Sequence, residues 1–228
     1  MSGGGQRMPV RRTMLKKRSE GAAPDRSARE RLLREAADLF SCKGYAATSV
    51  GEIVAAAGVT KPVLYYHFNS KEGLYLRLME EGLGKFRTAV EAVLRSDKGA
   101  VADRIRRLCE TLIDLALENL SISRLTRGIR FAQPQGAPVF DVGEFPRTIQ
   151  KTLLRLVEQG VRSGEFTPVS PSDLVWVIMG LLAACIDSNL VDPAIALKPH
   201  GFRSALNLVF AGVTPAGRRP QGDRGHHA

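Results

Sequence analysis

Cysteine is scarce in this chain of 228 residues: Cys42, Cys109 and Cys185 stand far apart and without CxxC spacing. That pattern excludes a disulfide framework and a zinc cluster, and it points to reduced thiols in the cytoplasm. Histidine is equally thin, with His226 and His227 in the polar tail and only His67 and His200 elsewhere. The chain has no Ser/His/Asp set, no HExxH, no glycine-rich phosphate loop and no metal-spaced cluster of His and Cys. An enzyme, a metal site and a bound cofactor are therefore not expected. Long apolar runs are missing too. The longest, "LVWVIMGLLAACI" at 174–186, falls short of the ~20 residues a membrane span requires. The basic N-terminus leads into polar residues rather than an apolar segment, so no signal peptide is expected. A soluble cytoplasmic protein without a membrane partner is the expectation.

What the chain does have is positive charge, a formal +10 with a sequence pI near 9.9, which favours polyanionic partners. Arg7, Arg11, Arg12, Lys16, Lys17 and Arg18 face only Glu20 and Asp25 within the first 25 residues. That aperiodic segment reads as a disordered basic arm over 1–25. Residues 214–228 read as a second disordered tail.

Helical periodicity fills the interval. Ser27 and Glu30 make a capping-box pair ahead of Leu33, Ala36, Ala37 and Phe40, and Gly44 ends that helix. Ser49 and Glu52 repeat the signal before Ile53 and Val54, and Gly58 closes the second helix. Further helices are expected over 71–94, 101–118, 121–131, 147–163, 171–190 and 200–212, with a loop over 132–146. "SPSD" places Ser170 as cap and Pro171 in the first position of the penultimate one. No Val/Ile/Thr alternation is long enough for a strand and no internal repeat is present. The fold class is all-α.

"GVTKPVLYYHFNSKEGL" (58–74) carries the functional signal. A short helix, a turn through Gly58 and Val59, and a second helix form a helix-turn-helix over about 49–68. Pro62 falls in the first turn of the second helix, where its missing N–H is not needed, with Thr60 able to cap. Leu64 and Phe68, four apart, share the inner face and leave Lys61, Val63, Tyr65, Tyr66 and His67 to look elsewhere. Thr60 and Lys61 suit phosphates; Pro62 and Val63 suit a thymine methyl. A helical corner with half-buried tyrosines would show the same spacing. Lys71, opening the next helix behind Asn69 or Ser70, adds an anion-friendly end.

The residues "AADLFSCKGYAATSVGEIVAAAGVTKPVLYYHFNSKEGLY" resemble the DNA-binding region of the tetracycline-repressor (TetR) family of transcriptional regulators, a likeness spanning 27–75. The resemblance implies a three-helix DNA-binding head over 26–86 and a helical effector-binding and dimerisation body over 87–213. It implies phosphate contacts from Thr48, Lys61, Tyr66, His67 and Lys71, with Thr60, Pro62, Val63 and Tyr65 nearer the bases. The family often has a small residue near Pro62, so base preference there does not carry over. The function implied is a ligand-responsive repressor that binds a palindromic operator on double-stranded DNA as a homodimer. A transcriptional activator of the same fold and a non-specific architectural protein are the alternatives.

For an unknown small-molecule effector the candidate contacts are Phe86, Leu112, Phe131, Phe140, Phe145, Ile149, Trp176 and Met179. Arg127 and Arg130, ahead of the loop, are candidates for meeting an acidic effector. The helix at 171–190 is apolar around much of its circumference. This marks Trp176, Gly180, Leu181 and Leu182, with Phe202 and Leu206 from the last helix, as a candidate dimer interface.

Overall fold

The computed structural model describes residues 27–95, 99–131 and 136–215, though not the side chains of Arg130 and Phe131. Among the described residues there are nine helices and no strand. The expected basic arm, and the tail beyond Pro215, lie outside them.

Local signals set the first three helices. In α1 (Ala28–Lys43), Ser27 accepts the Glu30 N–H, and Gly44 at φ +83° ends the helix. α2 (Val50–Ala56) carries a complete capping box between Ser49 and Glu52. Lys43 hydrogen-bonds the Glu52 carboxylate, and this contact, with those from Ser49, lowers its pKa to about 2. α3 (Lys61–Phe68) has Pro62 in its first turn as expected, but the Thr60 hydroxyl makes no cap hydrogen bond. Asn69 closes α3 in the left-handed region at φ 63°. Ser70 then opens α4 (Lys71–Arg95) by accepting the Gly73 N–H at 2.9 Å.

Helices α1 to α3 and the first half of α4 share one core, in which the rings of Phe40, Tyr45 and Tyr75 meet edge-on or tilted at 5.1–5.6 Å. Burial pushes the Tyr75 hydroxyl up to about 12.

The body comprises α5 (Val101–Glu118), α6 (Leu120–Phe131), α7 (Glu144–Arg162), α8 (Pro171–Val191) and α9 (Pro199–Val213). The start of α5 is held from a distance. The Glu165 carboxylate accepts the N–H groups of Val101 and Ala102 at 2.7 and 2.8 Å, filling the role of a cap. α8 is long and apolar enough to cross a membrane by length and composition, more so than its uninterrupted apolar run suggests. It packs on α5, α7 and α9, and buries Leu174, Val175, Ile178, Leu182 and Cys185 in the body core. Cys109 is buried there too, its thiol pushed up to about 12, whereas Cys42 is exposed on α1.

α6 joins the two cores. Ile122 and Leu125 sit among the residues of the head, and Ile122 approaches α4 so closely that a Cβ on Gly82 would lie 2.9 Å from it. Ser121 donates a hydrogen bond to Asp38 of α1. The head is therefore packed against a helix of the body, an arrangement that the helix pattern alone does not reveal.

Candidate nucleic-acid interface

The second helix of the motif is anchored by Leu64 and Phe68, both buried, and by the turn before it. Val59 N–H donates to the Val54 carbonyl at 2.9 Å, and the Arg31 guanidinium reaches from α1 to the Ala57 carbonyl at 3.0 Å. Gly73 lets α4 approach the end of α3: a Cβ there would stand 2.1 Å from the Phe68 carbonyl oxygen. The motif is thus fixed at both ends.

With Leu64 and Phe68 inward, the opposite stripe faces out. Thr60, Lys61, Pro62, Tyr65, Tyr66 and His67 are exposed and Val63 is partly buried. Tyr66 is 83% exposed and its ring meets that of His67 at 5.0 Å, edge to face. Tyr66 is therefore not half-buried packing, while Tyr65 keeps 46% of its surface exposed. A short helix that turns two phenols, an ammonium, a hydroxyl and an imidazole outward has the donors and apolar tips that groove-reading helices use.

Two expected members do not join this face. Thr48 is 1% exposed, and its hydroxyl donates to the Gly44 carbonyl at 2.8 Å. Lys71 donates to the carbonyls of Tyr45 and Thr48 at 2.9 and 2.8 Å, and its ammonium lies 4.2 Å from the centre of the Tyr45 ring. The cause is the turn between α1 and α2. It leaves carbonyls facing inward that no helix satisfies, at the negative end of α1, and these two side chains satisfy them. Arg31 and Gly73 are positioning residues that the sequence does not disclose, and Lys71 holds the turn between α1 and α2.

The body holds a cavity of about 140 Å³ between α4, α6, α7 and α8. Of the expected effector contacts, Phe86, Arg127, Phe145, Ile149 and Met179 line it, with the rings of Phe86 and Phe145 5.0 Å apart. Leu112 does not; it is buried in the body core. Trp176 points away and is 64% exposed, and Phe140 packs beside the head core. Arg130 and Phe131 lie outside the described side chains. Arg127 does not stand open to an acidic effector, because it pairs with Asp187 of α8.

Among the residues expected at a dimer interface, Trp176 and Gly180 are exposed and Leu181 is partly so. Leu182 is buried and lines the cavity, while Phe202 and Leu206 are fully buried in the body. The exposed large apolar residue of α9 is Leu208, at 76%. Val177 of α8 is also exposed. A helix apolar all round does not disclose which stripe its own chain covers, and α8 and α9 resolve that choice by packing on α5.

A helix-turn-helix head mounted on an all-helical body defines a DNA-binding transcriptional regulator. Residues 32–78 match the sequence model described as bacterial regulatory proteins, tetR family. The uncharacterized HTH-type transcriptional regulator YdgC of Bacillus subtilis (strain 168) is 31% identical over 198 residues, covering 83% of this chain and 94% of that protein. The chain belongs to the tetR family, whose members are transcriptional regulators rather than enzymes. The HTH-type transcriptional activator FasR of Mycolicibacterium smegmatis (strain ATCC 700084 / mc(2)155) is 36% identical over 91 residues, 40% of this chain and 41% of its own. In fold the chain is similar to AibR, crystallised with isovaleryl coenzyme A and operator DNA (TM-score 0.62, 22% identity, covering 80% of this chain and 98% of that one).

Proposed function

We propose that this regulator binds a palindromic operator as a homodimer, lays α3 in the major groove, and represses transcription under the control of a small-molecule effector. The observation that carries the reading is the outer stripe of α3, with Tyr66 83% exposed beside Lys61 and His67. Lys61, Tyr66 and His67 are assigned to phosphates; Thr60, Pro62, Val63 and Tyr65 are assigned to bases. In this reading the head spans 26–86 and the body 87–213.

One reading helix covers only a few base pairs. Two copies about one helical turn (~34–36 Å) apart are needed for selective binding. The stripe of Trp176, Val177 and Gly180 on α8, with Leu208 on α9, is a surface two chains could share about a two-fold axis. An effector in the body cavity would act through α6, which contributes Ser123, Thr126 and Arg127 to the cavity wall and Ile122 and Leu125 to the head core. It can shift the heads only by binding one of their arrangements better than the other. An operator covered by two heads obstructs polymerase, which favours repression. Activation is the second reading, supported by the likeness to the activator FasR over 91 residues. Such a regulator works beside the chromosome, in the cytoplasm, with no membrane partner.

A paired titration tests the assignment. Lys61→Ala should reduce the slope of log K against log salt by about one, as loss of a phosphate contact does. Lys71→Met should weaken binding by disordering the turn between α1 and α2 while leaving the slope unchanged. Equal slopes for Lys61→Ala and wild type would remove α3 from the phosphate backbone. A lowered slope for Lys71→Met would return Lys71 to it.

A further inference from the structure

We infer that the cavity between α4, α6, α7 and α8 takes a small uncharged molecule about one ring in size, and rejects carboxylates. The inference rests on reading this cavity as the effector site.

Size comes first. The cavity, about 140 Å³ and open to solvent on one side, is comparable in volume to the ~150 Å³ apolar cavity that takes up benzene. Phe86 and Phe145 meet at 5.0 Å with their planes tilted by 58°, and Ile149 and Leu182 add aliphatic wall. Met179, unbranched and polarizable, can adapt to a ring edge.

Charge comes second. Arg127 is the single ionisable residue in the lining. Its guanidinium pairs with Asp187 and also donates to the Ala183 carbonyl at 3.5 Å. An entering carboxylate would lose its water and find the cation already neutralised by a carboxylate of the chain. A phosphate would fare worse.

The two hydroxyls of the wall set the remaining polarity. Ser123 Oγ donates to the Ala116 carbonyl at 3.0 Å. Thr126 Oγ1 donates toward the carbonyls of Ile122 and Ser123 at 3.0 and 3.1 Å. Both protons are directed into the backbone, so each oxygen can only accept. The ligand these walls complement is an aromatic or branched aliphatic body carrying at most one O–H or N–H donor: a phenol, an alcohol or a secondary amide, not an acid or a polyol.

The experiment uses the full chain with toluene, p-cresol and benzoate at pH 7, read by thermal shift and by saturation-transfer NMR. Toluene and p-cresol should raise Tm and bind at least about tenfold tighter than benzoate, the direction in which a buried, unpaired charge acts. Ala183→Phe, which fills the cavity from α8, should abolish both. If it does not fold, Ala183→Leu should weaken both. Preference for benzoate, no binding of either neutral probe, or binding undiminished in a folded cavity-filled variant would each overturn the inference. Operator binding is measured separately on the unliganded chain. A chain that binds its operator but neither neutral probe sinks this inference alone. A chain that takes up toluene but selects no DNA sinks the proposed function and leaves the cavity's chemistry standing.

Discussion

Gly180→Arg is expected to produce monomers that keep their helical content and bind the operator 10²- to 10⁴-fold more weakly, the loss that follows when one of two linked binding events is removed. The position suits the test because a Cβ on Gly180 meets nothing within 4 Å. The folded protomer therefore has room for the side chain, and replacing a helical glycine does not weaken α8. The cost falls on a second chain approaching the stripe of Trp176, Val177 and Gly180, where a charge would be buried without a partner. The contrast is Leu182, 4% exposed and against the cavity, where a charge should unfold the body instead of dividing the dimer. Sedimentation separates the outcomes. A Gly180→Arg chain that remains dimeric places the interface on another surface.

Gly73→Ala should be the most damaging single methyl in the head. The new Cβ would stand 2.1 Å from the Phe68 carbonyl oxygen and 3.3 Å from its carbon. These are backbone atoms at the end of α3, so relief requires α3 and α4 to separate. Overpacking of this kind costs about 3 kcal/mol, or about 6–12 °C of Tm for a domain of ordinary size. Operator affinity should fall with it, because the reading helix is held at that junction. Gly84→Ala is the control on the same helix. Nothing lies within 4 Å of its Cβ, so the substitution should be neutral or stabilising by up to ~1 kcal/mol. If the two variants melt together, the close contact at Gly73 does not hold α3 in place.

The signals legible in the sequence were those written in neighbouring residues. Ser49 and Glu52, three apart, mark the start of α2; Ser170 and Pro171 mark that of α8. The expected helix over 71–94 runs as Lys71–Arg95. Pro62 reads correctly as a helix starter because its effect is confined to one turn. Partners far along the chain were not legible. Lys71 serves carbonyls 26 and 23 residues away, Glu165 caps α5 from 64 and 63 residues away, and Arg31 reaches 26 residues to Ala57. A lysine followed by free helix N–H groups looks like an anion site until the carbonyls facing it are known. Phe202 and Leu206 illustrate the other blind spot. On a helix with apolar residues on several faces, periodicity fixes the spacing but not the rotation, so Leu208 rather than these two faces outward.

Selection of bound duplexes from a random DNA library by the purified chain tests the central claim most directly. The account predicts an enriched inverted repeat, two identical half-sites with centres about one helical turn (~34–36 Å) apart. It also predicts that Val63→Ala changes the preferred base at the same position in both halves, since each half-site holds one copy of α3 and so one copy of Val63. No enrichment over random sequence, as backbone-only binding would give, or enrichment of a single unrepeated element would contradict it.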